Sequence, residues 1–438
     1  MPQQEPASAK QALLQIVKNA SWLLGGKAFG AVSSLLYLAI LSRTLGVKDF
    51  GHFALIFGFS QAFSALASFQ TWQTIVRFGA VHISKSNWDA FARLSVAGGL
   101  IDAGGALVGS IFAIVVIVAF EGALELNPEY SGMALAFICA MLWARVSAPY
   151  GIIRALDRFE LTVFIGAITP AGRLLAAVAI WLTGPSVGRF LFAWAAIEFI
   201  TAIAIWIAAW RLRPDLMKPA RLLEWRLAIE ENPGILKFLG ITYCNTSLQA
   251  VVHQGPLLAV GYLFGTSAAG VYRIADQLAK GLSKLALLIS DAVYPEVNRH
   301  RHQAEASEFS KIIARVTASV FVIAVVVSLL AMVLGDDLLT LIAGAAFASG
   351  AVILVPLVIA ASFELAAVAY EPVLHSFGKP HYQLYVRSAA ALTLTLLVFS
   401  FLVQSSLGVA WVVVLTQALE YLLLSALVWT VLRRSARA

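Results

Sequence analysis

The sequence has little charge and little cysteine. Charged residues make up 13% of the 438 residues and hydrophobic residues 60%, whereas soluble domains carry about 25% charged and about 45 to 50% apolar residues. This composition excludes a soluble globular domain, and a mean hydropathy of +0.84 excludes a disordered chain. The two cysteines, Cys139 and Cys244, lie in apolar stretches and give no basis for a disulfide framework.

Motifs of familiar catalytic chemistry are also missing. The sequence contains no Walker A, G-x-S-x-G, H-E-x-x-H or C-x-x-C pattern, so an ATP-driven pump or a familiar hydrolase has no support. His300 and His302 share one loop without a further ligand nearby, which makes a poor metal site. We therefore expect neither an enzyme nor a cofactor, and a membrane glycan polymerase or ligase is kept as an alternative.

Long apolar runs divide the chain. A membrane-spanning helix needs about 20 apolar residues, and twelve such runs follow one another with short polar breaks. The runs are continuous rather than alternating, which is typical of helices and not of barrel strands. The sequence therefore predicts an all-α polytopic membrane protein with transmembrane helices near residues 21–41, 53–79, 94–120, 132–150, 161–183, 190–210, 238–262, 268–294, 312–334, 351–376, 388–404 and 408–432.

Basic residues give the predicted orientation. Cytoplasmic loops of membrane proteins retain Lys and Arg. In this sequence nearly all loop Lys and Arg residues fall on the side that holds both termini, and the exceptions are Arg43, Lys48 and Arg189. We therefore predict that both termini are cytoplasmic.

The two halves of the chain repeat a pattern. Residues 45–53 (LGVKDFGHF) match residues 264–272 (FGTSAAGVY) with a shift of 219. We interpret the match as a duplicated six-helix unit, with domains at 1–219 and 220–438 related by an axis along the membrane normal. The linker at about 211–237 is predicted to be either an interfacial amphipathic helix or a solvated segment.

The eighth predicted helix carries a stripe of charge. A charge that faces lipid costs about 2.5 to 3.5 kcal/mol on insertion scales. At 100° per residue the stripe is about 80° wide, so this face is predicted to line a wet space. Snorkelling toward the cytoplasm is the alternative for its last two members. The stripe comprises Arg273, Asp276, Lys280, Lys284 and Asp291.

Other cationic residues lie inside predicted spans. Arg173 is about 13 residues into the fifth helix, where snorkelling is difficult, and Lys27 is about two turns into the first, where snorkelling is an alternative. Arg77 and Arg145 lie near the cytoplasmic ends of their helices, which predicts anchoring. Together with the stripe these positions predict a substrate-binding set of Lys27, Arg173, Arg273, Lys280 and Lys284.

Carboxylates at membrane depth are candidates for coupling to a cation gradient. A carboxylate in a low-dielectric site can bind a proton or a metal cation. Fixed pairing with a neighbouring cation is the alternative. The candidate coupling residues are Glu198, Glu364, Glu371, Glu420 and Asp276.

Short motifs at the hairpins resemble the multidrug/oligosaccharidyl-lipid/polysaccharide exporter superfamily, in its Wzx-like polysaccharide-transporter branch. Their order and spacing extend over nearly the whole chain. The motifs are residues 41–46 (LSRTLG), 50–54 (FGHFA), 154–159 (RALDRF), 255–256 (GP), 270–272 (GVY) and 294–296 (YPE).

The resemblance implies two six-helix lobes around a central cavity and a flippase for an undecaprenyl-diphosphate-linked oligosaccharide. The implied location is the bacterial inner membrane, within O-antigen, capsule or exopolysaccharide synthesis. Implied partners are the lipid-linked substrate, the bilayer, a glycan polymerase and chain-length proteins, and not nucleic acid. Relatives hold the diphosphate with basic cavity residues, and by position Lys27 with Arg273 or Lys280 would correspond. A cation-coupled exporter of small organic compounds and a non-transporting scaffold are the alternatives.

Overall fold

Nearly all of the described chain is helical. The structure is a computed structural model that describes residues 9–120, 128–299, 306–367, 370, 374, 379, 381–400 and 403–435. These residues contain no strand, so the predicted all-α class is confirmed. The helices are α1 (Ala9–Ala67), α2 (Thr71–Ser84), α3 (Trp88–Phe120), α4 (Pro128–Ala144), α5 (Ala148–Ala155), α6 (Phe159–Gly166), α7 (Ile168–Thr183), α8 (Val187–Leu212), α9 (Trp225–Glu230), α10 (Ile235–Arg299), α11 (Ala306–Ala343), α12 (Ala351–Ala367), α13 (His381–Val398) and α14 (Ser406–Ser435).

Two long helices are interrupted by glycine. Gly46 breaks α1 at φ 72°, ψ 177°, and Gly265 breaks α10 at φ 83°, ψ 175°, values that a residue with a side chain rarely adopts. Tyr37 and Phe57 both contact the ring of Trp194, at centroid distances of 5.3 and 4.5 Å. A straight helix would place them about 30 Å apart, so the chain folds back at Gly46.

The helices account for the twelve predicted spans. Among the described residues, nine segments are long and apolar enough to cross a membrane, and two of them contain the glycine breaks. α13 adds an 18-residue helix. The twelve-helix prediction is confirmed, although α13 ends at Val398 and not at 404. Hydropathy placed this helix too late in the chain because its first turns contain the polar residues Gln383 and Arg387, which point into the protein.

Two predicted spans are broken within their length. Residues 68–70 separate α1 from α2, and residues 145–147 separate α4 from α5. The single helices predicted at 53–79 and 132–150 are therefore wrong at these points. Pro149 accounts for the second break, since its ring clashes with the carbonyl four residues earlier and it has no amide hydrogen.

The two halves of the chain share their largest apolar core at one end. Near the glycine hairpins, this cluster joins both halves and includes Phe50 and Leu257. Toward the other end, a smaller cluster around Phe91 takes in the start of α10 through Ile235 and Leu239, whereas the cluster around Val428 contains only residues of the second half. The halves are therefore joined extensively at the hairpin end and more narrowly, through the start of α10, at the opposite end.

The linker between the halves folds against α3. It forms two 3₁₀ turns, Pro214–Met217 and Pro219–Glu224, followed by the six-residue α9. The continuous amphipathic helix considered from the sequence is not formed, because the prolines that begin both turns cannot continue a helix.

Ion pairs fix the linker in place. Arg93 on α3 bonds Glu231 at 2.5 and 3.0 Å, and Arg221 bonds Asp89 at 2.6 Å. Within the linker, hydrogen bonds from Arg213 lower the pKa of Asp215. The connection between the halves is thus anchored to the first half.

Candidate functional site

A cavity of about 190 Å³ lies between the two halves, near the hairpin end. Arg173 on α7 of the first half and Arg273 on α10 of the second half both line it. Two predicted substrate-binding residues from distant parts of the sequence therefore share one space, which we call the central cavity. Its other lining residues are Ser34, Tyr37, Leu38, Leu41, Phe50, Phe53, Phe57, Pro170, Trp194 and Gln277.

Arg173 is held by an acid and an aromatic ring. One of its terminal nitrogens donates to the carboxylate of Glu198 on α8. Its guanidinium carbon lies 3.5 Å from the ring centroid of Trp194, also on α8, which is a cation–π contact. Glu198, predicted to couple a cation, is therefore placed as the ion-pair partner of a predicted substrate-binding residue.

Asp276 connects two more of the predicted residues. Its carboxylate lies 3.6 Å from a terminal nitrogen of Arg273, whose guanidinium is stacked on Phe57 at 5.1 Å. The same carboxylate lies 2.8 and 2.9 Å from Nζ of Lys280. One acid thus serves two cations, and this part of the stripe keeps an excess positive charge.

Three residues that line the central cavity carry buried donors without an acceptor. Among the described residues, the buried Tyr37 hydroxyl, the indole nitrogen of Trp194 and Nε of Arg173 make no hydrogen bond. A buried donor left unpaired costs about 1 to 3 kcal/mol, so such groups point to a missing partner. All three line the same cavity. These donors would be satisfied by a ligand that carries many acceptor oxygens.

A second cavity, of about 140 Å³, lies within the second half and contains Glu364 and Glu420. His253 Nε2 lies 3.7 Å from Glu364 Oε1. Arg387 Nε lies 3.8 Å from Glu420 Oε1. The structure thus brings together two predicted coupling acids from α12 and α14, each facing a basic residue. Arg387, interpreted as a loop residue from the sequence, instead points into this cavity.

The side chains of three predicted site residues are outside the described part of the structure. Glu371 lies outside the described residues, and although Lys27 and Lys284 lie on α1 and α10, their side chains are outside the described part. Sequence reasoning missed Tyr37 and Trp194, which look like packing residues on apolar helices. The polar tip of a buried Tyr or Trp needs a partner, and this was the available signal.

A family model described as "Polysaccharide biosynthesis protein" matches residues 16–300. The chain belongs to the polysaccharide biosynthesis protein family. A relative in Escherichia coli (strain K12), named "Inner membrane protein YghQ", is 24% identical over 293 residues, covering 66% of this chain and 82% of that protein.

Solved transporters share the fold of this family member. Lipid II flippase MurJ in an inward closed conformation superposes with a TM-score of 0.70 at 12% identity, over 92% of this chain and 86% of the other. An inward-facing multidrug resistance MATE family transporter superposes with a TM-score of 0.64 at 14% identity, over 92% of this chain and 95% of the other. The predicted membership of the multidrug/oligosaccharidyl-lipid/polysaccharide exporter superfamily is confirmed.

Proposed function

We propose that the protein is a flippase that moves an undecaprenyl-diphosphate-linked oligosaccharide from the inner to the outer leaflet of the inner membrane during polysaccharide biosynthesis. The family and the transporter fold support a membrane exporter. The name of the Escherichia coli relative supports the inner membrane. A glycan polymerase and chain-length proteins are the partners that this step requires.

The unpaired donors of the central cavity are the observation on which the substrate class depends. A diphosphate and a glycan are dense in acceptor oxygens, and neither can cross about 30 Å of hydrocarbon without replacing its lost hydration. Arg173, Tyr37 and Trp194 offer donors with no partner of their own. Arg273 also lines the cavity, and it shares the carboxylate of Asp276 with Lys280. The cavity therefore suits an anionic, oxygen-rich headgroup.

The arrangement of the apolar cores supports alternating access. The halves share a large core at the hairpin end and are joined at the other end only through the smaller cluster at the start of α10. With both termini cytoplasmic, as the basic residues predict, the more narrowly joined end faces the cytoplasm and would open to accept substrate from the inner leaflet. Rocking of the halves would then expose the same cavity on the outer side.

The second cavity is the site that we propose for coupling to a cation gradient. Arg387 lies opposite Glu420, so a permanent charge already balances that acid. Glu364 instead faces His253 at 3.7 Å, and a histidine carries a positive charge only when it is protonated. Glu364 is therefore the acid that we propose takes up the coupling ion.

Reconstitution into vesicles tests the proposed function. The wild-type protein should move a fluorescent undecaprenyl-diphosphate-linked sugar to the opposite leaflet, measured by protection from a membrane-impermeant quencher. Arg273→Ala should slow this at least tenfold, since a charge-assisted contact contributes about 1.5 to 3 kcal/mol. Arg173→Ala is combined with Glu198→Gln, so that the carboxylate of Glu198 is not left without its partner.

Arg158→Ala provides the matched control. Arg158 is exposed, pairs with Glu160 and lies outside both cavities, so its loss should leave the rate unchanged. Wild-type rates in both cavity variants would refute the headgroup role. Transport of organic cations in place of the lipid would support the small-compound exporter.

A further inference from the structure

A third polar cavity lies where the two broken spans meet. It has a volume of about 240 Å³, and its walls include Arg145, Arg154, Tyr150 and Trp72. The sequence interpretation treated Arg145 as a membrane anchor and Arg154 as a loop residue. The structure places both on one cavity, which we call the break pocket.

A single carboxylate holds the two breaks together. Asp102 on α3 accepts a hydrogen bond from the Thr71 hydroxyl at 2.7 Å. Its other oxygen accepts from the backbone nitrogens of Ser147 and Ala148, at 2.9 and 2.7 Å. The backbone nitrogen of Trp72 in turn donates to Ser147 Oγ at 3.0 Å. The unwound segments are therefore built into the fold, and unwound backbone at membrane depth is tolerated where it lines a cavity or is buried in protein.

The charge of the break pocket is not balanced from within. None of the described residues that line it is acidic. Among the described residues, Arg145 donates one side-chain bond, to Gln61 at 2.9 Å, and its side chain is exposed and lines the cavity. Arg154 is stacked on Trp72 at 4.5 Å, and its buried Nε has no hydrogen-bond partner. Two guanidinium groups with free donors in one polar space are suited to phosphate oxygens.

The break pocket lies far from the hairpin end. Residues 47–67 form a continuous helix after Gly46, so residue 68 lies about 33 Å from Gly46 along the helix axis, whereas Phe57 of the central cavity lies about 17 Å from Gly46. Glu198 lies between the two sites, because it pairs with Arg173 and also interacts electrostatically with Arg145. The two cationic sites are therefore separated in depth and connected through one acid.

We propose that the break pocket is a second anion site, which binds a phosphate group through Arg145 and Arg154 before that group reaches the central cavity. The role in sequence with the central cavity rests on the proposed flippase function, whereas phosphate binding itself does not. The shared chemistry is a phosphate or diphosphate anion, which either a lipid headgroup or a soluble phosphate could supply.

Site-resolved protection of arginine tests the proposal on the unmodified full chain. Purified protein is treated with phenylglyoxal, with and without inorganic pyrophosphate or farnesyl diphosphate, and each modified arginine is quantified by mass spectrometry. Both ligands should protect Arg145 and Arg154 several-fold, while Arg158, which is exposed and paired with Glu160, should react equally in all samples. Equal reaction of Arg145 and Arg154 with and without ligand would overturn the proposal.

Binding affinities give the second measurement. Arg145→Ala and Arg154→Ala should each weaken pyrophosphate binding about tenfold in calorimetric titrations, and Arg158→Ala should not change it. Arg145→Lys and Arg154→Lys keep the charge and should lose less, which distinguishes a lost contact from a misfolded variant. Protection by pyrophosphate but not by farnesyl diphosphate would assign the pocket to a soluble phosphate.

The outcomes separate this proposal from the proposed function. Anion binding at the break pocket without any lipid translocation in vesicles would refute the flippase and retain the site. Normal translocation together with unchanged binding in both alanine variants would refute the site and retain the flippase.

Discussion

Gly51 lies directly against the backbone carbonyl of Thr266, and the contact is reciprocated. A β-carbon on Gly51 would overlap that oxygen, and a β-carbon on Gly270 would lie 2.8 Å from the carbonyl oxygen of Val47. Since 270 and 266 follow 51 and 47 by the same 219 residues, the two hairpins contact each other as a two-fold relation requires. The division of the chain into domains 1–219 and 220–438 remains a prediction. The contact between the two repeated hairpins supports it.

Enlarging either glycine should therefore loosen the joined end of the halves. We expect Gly51→Ala and Gly270→Ala each to cost about 1 to 3 kcal/mol, because a backbone carbonyl cannot move aside as a side chain can. The measurement is the thermal unfolding midpoint of the purified protein in detergent. Gly104→Ala is the control, because no atom lies within 4 Å of its β-carbon position, and it should leave the midpoint unchanged or raise it.

Removing an unpaired donor from the central cavity should weaken binding without weakening the fold. Tyr37→Phe keeps the ring contacts to Trp194 and Phe190 and deletes a hydroxyl that has no partner. We expect an unchanged or higher unfolding midpoint and about two- to tenfold lower affinity for the diphosphate lipid, since a hydrogen bond contributes about 0.5 to 1.5 kcal/mol. Tyr385→Phe, at an exposed position, should change neither quantity. An equal affinity in both variants would show that the hydroxyl does not meet the substrate.

Asp102 should be required for its shape and not for its charge. One carboxylate oxygen accepts two backbone hydrogens and the other accepts the Thr71 hydroxyl. An amide can make the same bonds if the hydroxyl rotates to accept, so Asp102→Asn should cost under about 1 kcal/mol. Asp102→Ala leaves backbone donors unpaired and should cost about 2 to 4 kcal/mol. Equal losses in denaturant titrations of the two variants would contradict this assignment.

Glu364→Gln should separate transport from its driving gradient. The amide imitates a protonated carboxyl, so we expect downhill movement of the lipid to persist and acceleration by an imposed gradient to disappear. His253→Gln should shift the pH dependence, because the histidine no longer faces Glu364 at 3.7 Å. Glu160→Gln, outside the cavity, is the control.

Vesicles with a pH gradient or a sodium gradient identify the ion. Acceleration of the wild type by only one gradient names the coupling cation. Full gradient response in Glu364→Gln would exclude this acid as the coupling residue.

Hydropathy predicted the helices well and their internal breaks poorly. The runs at 53–79 and 132–150 read as single spans because the short polar stretches at 68–70 and 145–147 each lie between long apolar segments. The breaks are stabilised by Asp102, which lies on another helix. Pro149 is a local signal for the second break, but the contacts to Asp102 depend on the tertiary structure.

For the charged residues too, the sequence predicted their location and the tertiary structure was needed to identify their partners. The sequence identified Arg173, Glu198, Arg273 and Asp276 as residues that must avoid lipid. It did not reveal that Arg173 faces Glu198 across two helices, or that Arg387 enters a cavity with Glu420.

By itself the sequence determined that the chain is a helical membrane protein of twelve spans. It also determined where the hairpins reverse and which charged residues must be kept away from lipid. The physical reason is that the bilayer imposes length, hydropathy and glycine requirements on each segment separately. Only the tertiary structure decided which charges are neutralised, which donors remain unpaired and which cavities they line, because those properties depend on helices that are distant in sequence and meet only when the halves pack.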